Sequence, residues 1–277
     1  MQQHLHKALE ISGISDAGCS RSNNEDCITW NSELGLALVA DGMGGAKAGE
    51  IASRIAAETI LKEVRVNINQ LFSKPTVAVN GEQYSQAGLI LFNALNKANS
   101  VILGIAEEQL ECKGMGATTV ATLFHNNRVS VGHVGDSRLY LLRNGVLRQI
   151  TEDHTVVYEL VKCGLYTRKQ AEDSVNRNIV TRAVGVTKDL RIDILEESAL
   201  PDDIFMLCSD GLTDLVPDSE IQETLENENK ISCSAQKLVD LAKKYGGNDN
   251  ISLILIRVLK SYPEKRSFAQ RVLNWFS

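Results

Sequence analysis

The sequence predicts an α+β domain in which two antiparallel β-sheets pack together and long helices lie outside them. Three observations carry this. Short apolar strand-like runs recur along the chain, and two pairs of them are joined by the hairpin signals Asn126-Asn127 and Asn144-Gly145. Two longer stretches, 51–64 and 84–111, instead keep their apolar residues at helical spacing. Strands and helices do not alternate regularly, and the hairpins point to antiparallel pairing.

Each element follows from its local pattern. Residues 33–41 read as a strand, a nearly continuous apolar run ending on Asp41, and such a run implies burial on both faces. The next helix places Ile51, Ile55, Ala56, Thr59, Ile60 and Val64 on one side, with Glu and Lys between them. Residues 74–83 are polar, contain Pro75 and Gly81, and read as a loop. The second helix carries Leu91, Leu95, Ala98, Ile102 and Ile105 on one stripe. Beyond Gly114-Met115-Gly116 come strands at 118–124, 128–134, 138–142 and 147–150. Residues 155–178 are mixed and polar, and Thr167 with Gln170 forms a capping box for a short helix. Strands return at 191–197 and 204–208, helices follow at 219–226 and 234–244, and a strand at 251–258 completes the sheets.

Residues 1–260 are read as one domain and 261–277 as a tail. In the tail Pro263 breaks the chain. Phe268, Val272 and Phe276 then fall at four-residue spacing among Lys265, Arg266 and Arg271. This predicts a short amphipathic helix that packs on the domain or docks on a partner or a membrane surface.

Composition bounds the function. The chain has 277 residues, 43% of them apolar and 23% charged, enough for a sizeable core. A net charge of -6 argues against non-specific nucleic-acid binding. The apolar runs at 34–40 and 251–256 are too short to span a bilayer, and residues 1–10 lack the apolar run of a signal peptide. Cysteines at 19, 27, 112, 163, 208 and 233 include no C-x-x-C pair. Reduced, mostly buried thiols in a cytoplasmic protein are expected.

The informative feature is where the lone carboxylates fall. Asp41 follows Leu38-Val39-Ala40 and precedes Gly42-Met43-Gly44-Gly45. Asp136 follows an apolar run ending at Gly135, Asp210 follows 205–209, and Asp249 sits just ahead of the last strand. Taken singly, each can be a turn-capping Asp. Taken together, acids gathered at the ends of buried strands are tolerable only if neutralised, because like carboxylates repel. With no nearby His or Cys pair, the all-oxygen set suits Mg²⁺ or Mn²⁺ and not zinc. Gly42 allows close backbone approach, so its carbonyl is a further candidate ligand.

Upstream, residues 16–26 hold Arg21, Glu25 and Asp26. Glu25 and Asp26 could join the metal shell and Arg21 could fork onto a phosphate; read alone, the stretch also fits a solvated charged loop. The Gly-rich stretch 42–49 fails both nucleotide-binding patterns, since Lys47 is followed by Ala48 and occupies the place of the third fingerprint glycine.

These pieces occur in a familiar order. Asp16-x-Gly18-x-x-Arg21-x-x-Asn24-Glu25-Asp26, Asp41-Gly42-Met43-Gly44-Gly45, Gly116-Ala117-Thr118, Gly135-Asp136-Ser137-Arg138, Thr151-x-Asp153-His154, Thr181-Arg182-Ala183-x-Gly185, Ser209-Asp210-Gly211-Leu212 and Asp249-Asn250 resemble the PPM (type 2C) protein phosphatases, in the spacing of the bacterial branch. The resemblance runs from about residue 11 to residue 258. It implies a central β-sandwich flanked by helix pairs, with 155–178 as a mobile flap beside the site. It implies metal-dependent hydrolysis of phosphoserine and phosphothreonine in proteins, with two to three Mn²⁺ or Mg²⁺ ions. Asp41 would bridge two ions, Asp210 and Asp249 would complete one shell, and Glu25 with the Gly42 carbonyl would serve the other. Asp136 with Asp210 would hold a third ion, Arg21 would bind the substrate phosphate, and Asp26 would support the shell. It also implies a phosphoprotein substrate, shared with a cognate Ser/Thr kinase, and a monomeric enzyme.

One position departs from part of the family: Met43 stands where many eukaryotic members carry a His proposed as general acid. His154 is a candidate substitute, although a structural His held in a turn is the simpler reading. Two other functional classes stay open at this point, a catalytically silent phosphoprotein-binding module and a small-molecule phosphoesterase.

Overall fold

Alternation along the apolar runs resolves into two five-stranded antiparallel sheets. The computed structural model describes residues 5–45, 47–72, 76–79, 82–167, 170, 174 and 178–263. In one sheet β1 (Leu9–Asp16), β12 (Ile251–Val258), β11 (Ile204–Cys208), β8 (Arg138–Arg143) and β9 (Val146–Gln149) lie side by side in that order. In the other the order is β10 (Asp193–Ser198), β7 (Arg128–Val134), β6 (Gly116–His125), β3 (Leu36–Met43) and β2 (Asp26–Asn31). Both hairpin turns place their central residues at positive φ, 43° and 55° at Asn126 and Asn127, and 53° and 72° at Asn144 and Gly145. That geometry matches the strand twist, which is why these two dipeptides are readable as hairpins.

The strand pattern explains the layers. In β3, Leu36, Leu38 and Ala40 face one way and Ala37 and Val39 the other, and all five are buried. The first set packs under α1 (Ala48–Asn67) and α2 (Gln86–Glu108), against Ala52, Ala56, Ile60, Leu91, Leu95 and Ile102. The second set joins Val120, Val131, Leu139, Phe205, Leu207 and Ile254 between the sheets, where Phe124 meets Phe205 edge to face at 5.3 Å. Below the other sheet, Ile221 and Leu225 of α5 (Asp218–Asn227) and Leu238 and Val239 of α6 (Ile231–Lys244) cover Met206, Leu253 and Leu255. The order of layers is helix pair, sheet, sheet, helix pair. Four short elements complete the list used below: β4 (Thr76–Val79) pairs with β5 (Glu82–Ser85), α3 spans Val156–Lys162, and α4 spans Asp210–Thr213.

Several expectations are corrected. The stretch 74–83, read as a loop, contains β4 and the start of β5, which runs on to Ser85 within the stretch read as helix. Thr76-Val77-Ala78-Val79 ahead of Asn80-Gly81 was a strand-and-hairpin pattern passed over. Ser85 caps the first turn of α2 by accepting from Gly88 N at 3.0 Å. Helix α2 is long and apolar enough to cross a bilayer by length and composition. Its apolar stripe is instead spent on the sheet and α1. The cysteines are all free but not mostly buried: Cys112 and Cys208 are, Cys27 is partly so, and Cys19, Cys163 and Cys233 are exposed. The Thr167–Gln170 capping box is present, with Gln170 N donating to Thr167 Oγ1 at 3.2 Å and Thr167 N to Gln170 Oε1 at 2.8 Å. The predicted tail helix falls on residues 264–277, outside the described residues. Before it, Tyr262 packs on the inter-sheet core.

Candidate active site

The site begins with the pairing of β2 and β3. Antiparallel register sets Asp26 directly opposite Asp41, and β6 sets Thr118 opposite Asp41 on the other side. Asp41 therefore lies inside a strand and not at its end, since β3 runs on through Gly42 and Met43. Gly42 N donates to the Glu25 carbonyl at 3.2 Å. A Cβ on Gly42 would collide with the Gly49 carbonyl, so the first turn of α1 presses onto β3 at this point. A Cβ on Gly49 would collide with Glu25 Oε2 and lie 2.8 Å from the Gly42 carbonyl oxygen. The two glycines thus bring the Glu25 carboxylate and the Gly42 carbonyl to one spot at the start of α1.

The remaining acids arrive on loops, Asp136 from the end of β7 in this same sheet and Asp210 and Asp249 from the second sheet. Gly135, at φ 107°, turns the chain after β7 and leaves no room for a Cβ beside Thr118, which presents the buried Asp136. Asp210 is the first residue of α4, one residue beyond the buried strand β11, with Ser209 between them. Asp249 precedes β12 and accepts from Arg21 Nη2 at 2.8 Å. Asp26 Oδ2 accepts from Ser209 Oγ at 2.8 Å, while its Oδ1 is buried without a hydrogen-bond partner among the described residues.

Together Arg21, Glu25, Asp41, Gly42, Asp136, Asp210 and Asp249 line one cavity of about 500 Å³, with Met43, Thr118 and Asn250. Among its described lining residues Arg21 is the sole cation. Asp26 is not part of the lining and stands behind Asp41. The structure adds one acid that sequence reasoning missed. Asp214, one helical turn after Asp210, acts electrostatically on both Asp210 and Asp136 and accepts from Asn178 Nδ2 at 2.8 Å. The four-residue spacing in Asp210-Gly211-Leu212-Thr213-Asp214 was the available signal.

The electrostatics state what such an arrangement needs. Removal from water raises the Asp41 carboxyl well above the usual range, and the charges of Asp26, Asp210, Asp136 and Asp249 push the same way. Asp210 is raised for the same reasons, desolvation first and then Asp136. Burial takes Asp136 to about 7 and Asp26 to about 6. As the side chains stand, no three acidic, His or Cys groups among the described residues close around a single point, and Asp249 is turned to Arg21. The oxygen-only donors and the mutual repulsion fit hard divalent cations.

His154 lies away from this chemistry. It is buried, its Nδ1 accepts the Gly135 N–H at 3.0 Å, and its Nε2 meets Asp193 Oδ2 at 3.2 Å. Asp193 is held down to about 2, chiefly by that bond. His154 is also bound through its backbone to Gly135 and Thr181, at the root of the 155–178 segment, where Thr155 bridges to Val180. This is the structural reading of that histidine. The motif residues Arg138 and Asp153 form a two-pronged ion pair at 2.7–3.1 Å beneath the same root.

Residues 20–255 match the family model described as protein phosphatase 2C. The serine/threonine phosphatase stp of Listeria monocytogenes is 35% identical over 245 residues, which cover 87% of this chain and 93% of that protein. The crystal structure of the Mycobacterium tuberculosis serine/threonine phosphatase PstP/Ppp superposes with a TM-score of 0.80 at 34% identity, covering 91% of this chain and 99% of that one. The catalytic domain of PstP in complex with 2 manganese ions superposes with a TM-score of 0.76 at 34% identity, over 91% and 99% of the two chains. With acids from both sheets meeting in one cavity, the motif order intact and these likenesses spanning nearly the whole length, the chain belongs to the protein phosphatase 2C family of metal-dependent protein serine/threonine phosphatases.

Proposed function

We propose that this chain hydrolyses phosphoserine and phosphothreonine in proteins, with each cavity residue in a distinct role. The observation that carries the reading is the gathering of Glu25, Asp41, Asp136, Asp210 and Asp249 in one cavity where Arg21 is the sole cation among the described lining residues and pairs with Asp249. Asp41 would be the central ligand of bound divalent ions, Glu25 and the Gly42 carbonyl would hold one ion, and Asp210 with Asp249 would hold another. Asp136 with Asp210 and Asp214 would offer a third position, and Asp26 would support Asp41. Mn²⁺ is the ion favoured, by likeness to the manganese-bound PstP domain. Bound divalent cations make water nucleophilic near neutral pH and neutralise charge on the phosphoryl group.

The protein's own part is placement. Arg21 and a cation compete for Asp249. When Asp249 turns inward, the guanidinium is free to fork onto two phosphoryl oxygens, where charge grows in the transition state. Met43 lines the cavity at the position of the eukaryotic His and has no proton to give. The substrate is a phosphoprotein made by a Ser/Thr kinase, the protein acts as a monomer, and six free cysteines support a cytoplasmic setting.

The test compares a phosphothreonine peptide, a phosphorylated sugar and an aryl phosphate, each with Mn²⁺ and with chelator. Cation-dependent turnover of the peptide is expected. Turnover of the sugar phosphate alone would move the reading to small phosphoesters, and peptide binding without turnover under any cation would move it to a silent binder. A second expectation concerns Gly49→Ala. The added methyl pushes on Glu25 and crowds the Gly42 carbonyl, so Mn²⁺ affinity measured by calorimetry should fall about 10–100-fold. Excess Mn²⁺ should restore most of kcat.

A further inference from the structure

We infer that Asn250 is a positioning residue whose side-chain amide sets the loop 17–25, and with it Arg21, against the carboxylate half of the site. The inference rests on the role given to Arg21 above.

Asn250 is 5% exposed. Its Oδ1 accepts the Glu25 N–H at 2.8 Å, and its Nδ2 donates to the carbonyls of Ala17 at 3.1 Å and Asn23 at 2.9 Å. An amide side chain has two donor hydrogens, and here both are used on one loop, with the acceptor used on the same loop. The bonds fall at its start, Ala17, and at two points toward its end, Asn23 and Glu25, so they hold the backbone on both sides of Arg21.

Other ties act between those points: Gly18 N donates to Asp16 Oδ1, Cys19 N and Ser20 N donate to the Gly247 carbonyl, and Asn24 Nδ2 donates to Ser15 Oγ. Arg21 itself is half exposed and its guanidinium contacts Asp249. Once Arg21 leaves Asp249 for a phosphate, its position is inherited from the backbone that Asn250 grips. The backbone N–H of Asn250 separately donates to Asp249 Oδ1 at 2.8 Å. A side-chain substitution therefore disturbs the loop and leaves the orientation of Asp249 in place. Buried multiply bonded amides of this kind act by preorganising the groups they hold.

The test is a double-mutant cycle with full-length protein at saturating Mn²⁺. Asn250→Ala should raise KM for a phosphothreonine peptide about tenfold and lower kcat less than about threefold. In an Arg21→Ala background the same substitution should change KM less than about twofold, because the group it sets is gone. Asn250→Asp keeps the shape and the acceptor for Glu25 but turns a carboxylate onto two carbonyls, so its KM should rise at least as much as that of Asn250→Ala. Hydrogen exchange on chelated protein gives a readout independent of catalysis. The Glu25 amide should exchange at least about tenfold faster in Asn250→Ala and near the native rate in Asn250→Asp. A native KM in Asn250→Asp, or effects of Asn250→Ala and Arg21→Ala that simply multiply, would overturn the inference. A native KM in Arg21→Ala alone would instead overturn the role of Arg21, which separates the two failures.

Discussion

Replacing Asp41 by Asn is expected to abolish phosphopeptide hydrolysis, by ~10³-fold or more, while raising the thermal stability of the chelated protein. The two effects run in opposite directions for one reason. Asp41 stands opposite Asp26 in register and within the fields of Asp210, Asp136 and Asp249. Without a cation its negative charge is opposed by desolvation and by four neighbours of the same sign. An amide of equal size removes that repulsion and keeps the β2–β3 and β3–β6 backbone pairing. The same amide is a poor bridging ligand, and the carboxylates that remain cannot replace the central one. Calorimetric Mn²⁺ titration, melting in chelator and turnover on one phosphothreonine peptide check all three parts. A fall in stability together with native Mn²⁺ binding would mean that Asp41 is merely a structural acid.

The second large effect is in pH. An ordinary aspartate titrates near 3.8, whereas burial holds Asp136 at about 7 and Asp26 at about 6 in the folded chain. Between those values the folded state carries protons that the unfolded chain has lost. Stability of the chelated protein must then fall as pH rises from about 4 through about 7. The buried His133, held down to about 3, opposes this only below about pH 6.5, where an ordinary histidine takes up its proton. A lower Tm at pH 8 than at about pH 6.5 is therefore expected in chelator. Saturating Mn²⁺ should reverse the slope, because a cation favours the ionised carboxylates and its binding weakens as they protonate. Differential scanning calorimetry across pH, with and without Mn²⁺, measures both slopes. A chelated protein that gains stability toward pH 8 would contradict the assignment of strained acids.

The legible parts of this fold were those with a local cause. Strands β11 and β12 were readable residue for residue because their runs, 204–208 and 251–258, are apolar on both faces and bounded by Asp203 and Asn250. The two hairpins were readable because Asn and Gly take positive φ. Strands β1 and β2 were not recognised. Leu9–Asp16 has Gly13 and two serines, and its residues are mostly half-buried, so no period stands out. Their place in the sheets comes from partners more than 200 residues away in one case, β12, and from β3 in the other.

The site divides the same way. Asp41, Asp136, Asp210 and Asp249 were visible as acids beside apolar strands. The opposition of Asp26 to Asp41 was not, because register belongs to a pair of strands and not to either sequence. Asp214 was passed over because the short helix α4 was read as a loop. Asn250 was visible only as a letter in a motif, since its three bonds reach residues distant in the chain.

The central claim is that carboxylates delivered from both sheets are held together by divalent ions. Crystals grown in Mn²⁺ and measured at the manganese absorption edge test it most directly. At least two anomalous peaks are expected in contact with Asp41, one reaching Glu25 and the Gly42 carbonyl and one reaching Asp210 and Asp249, with Arg21 released from Asp249. Protein that hydrolyses the phosphopeptide yet shows no manganese among these residues would contradict it.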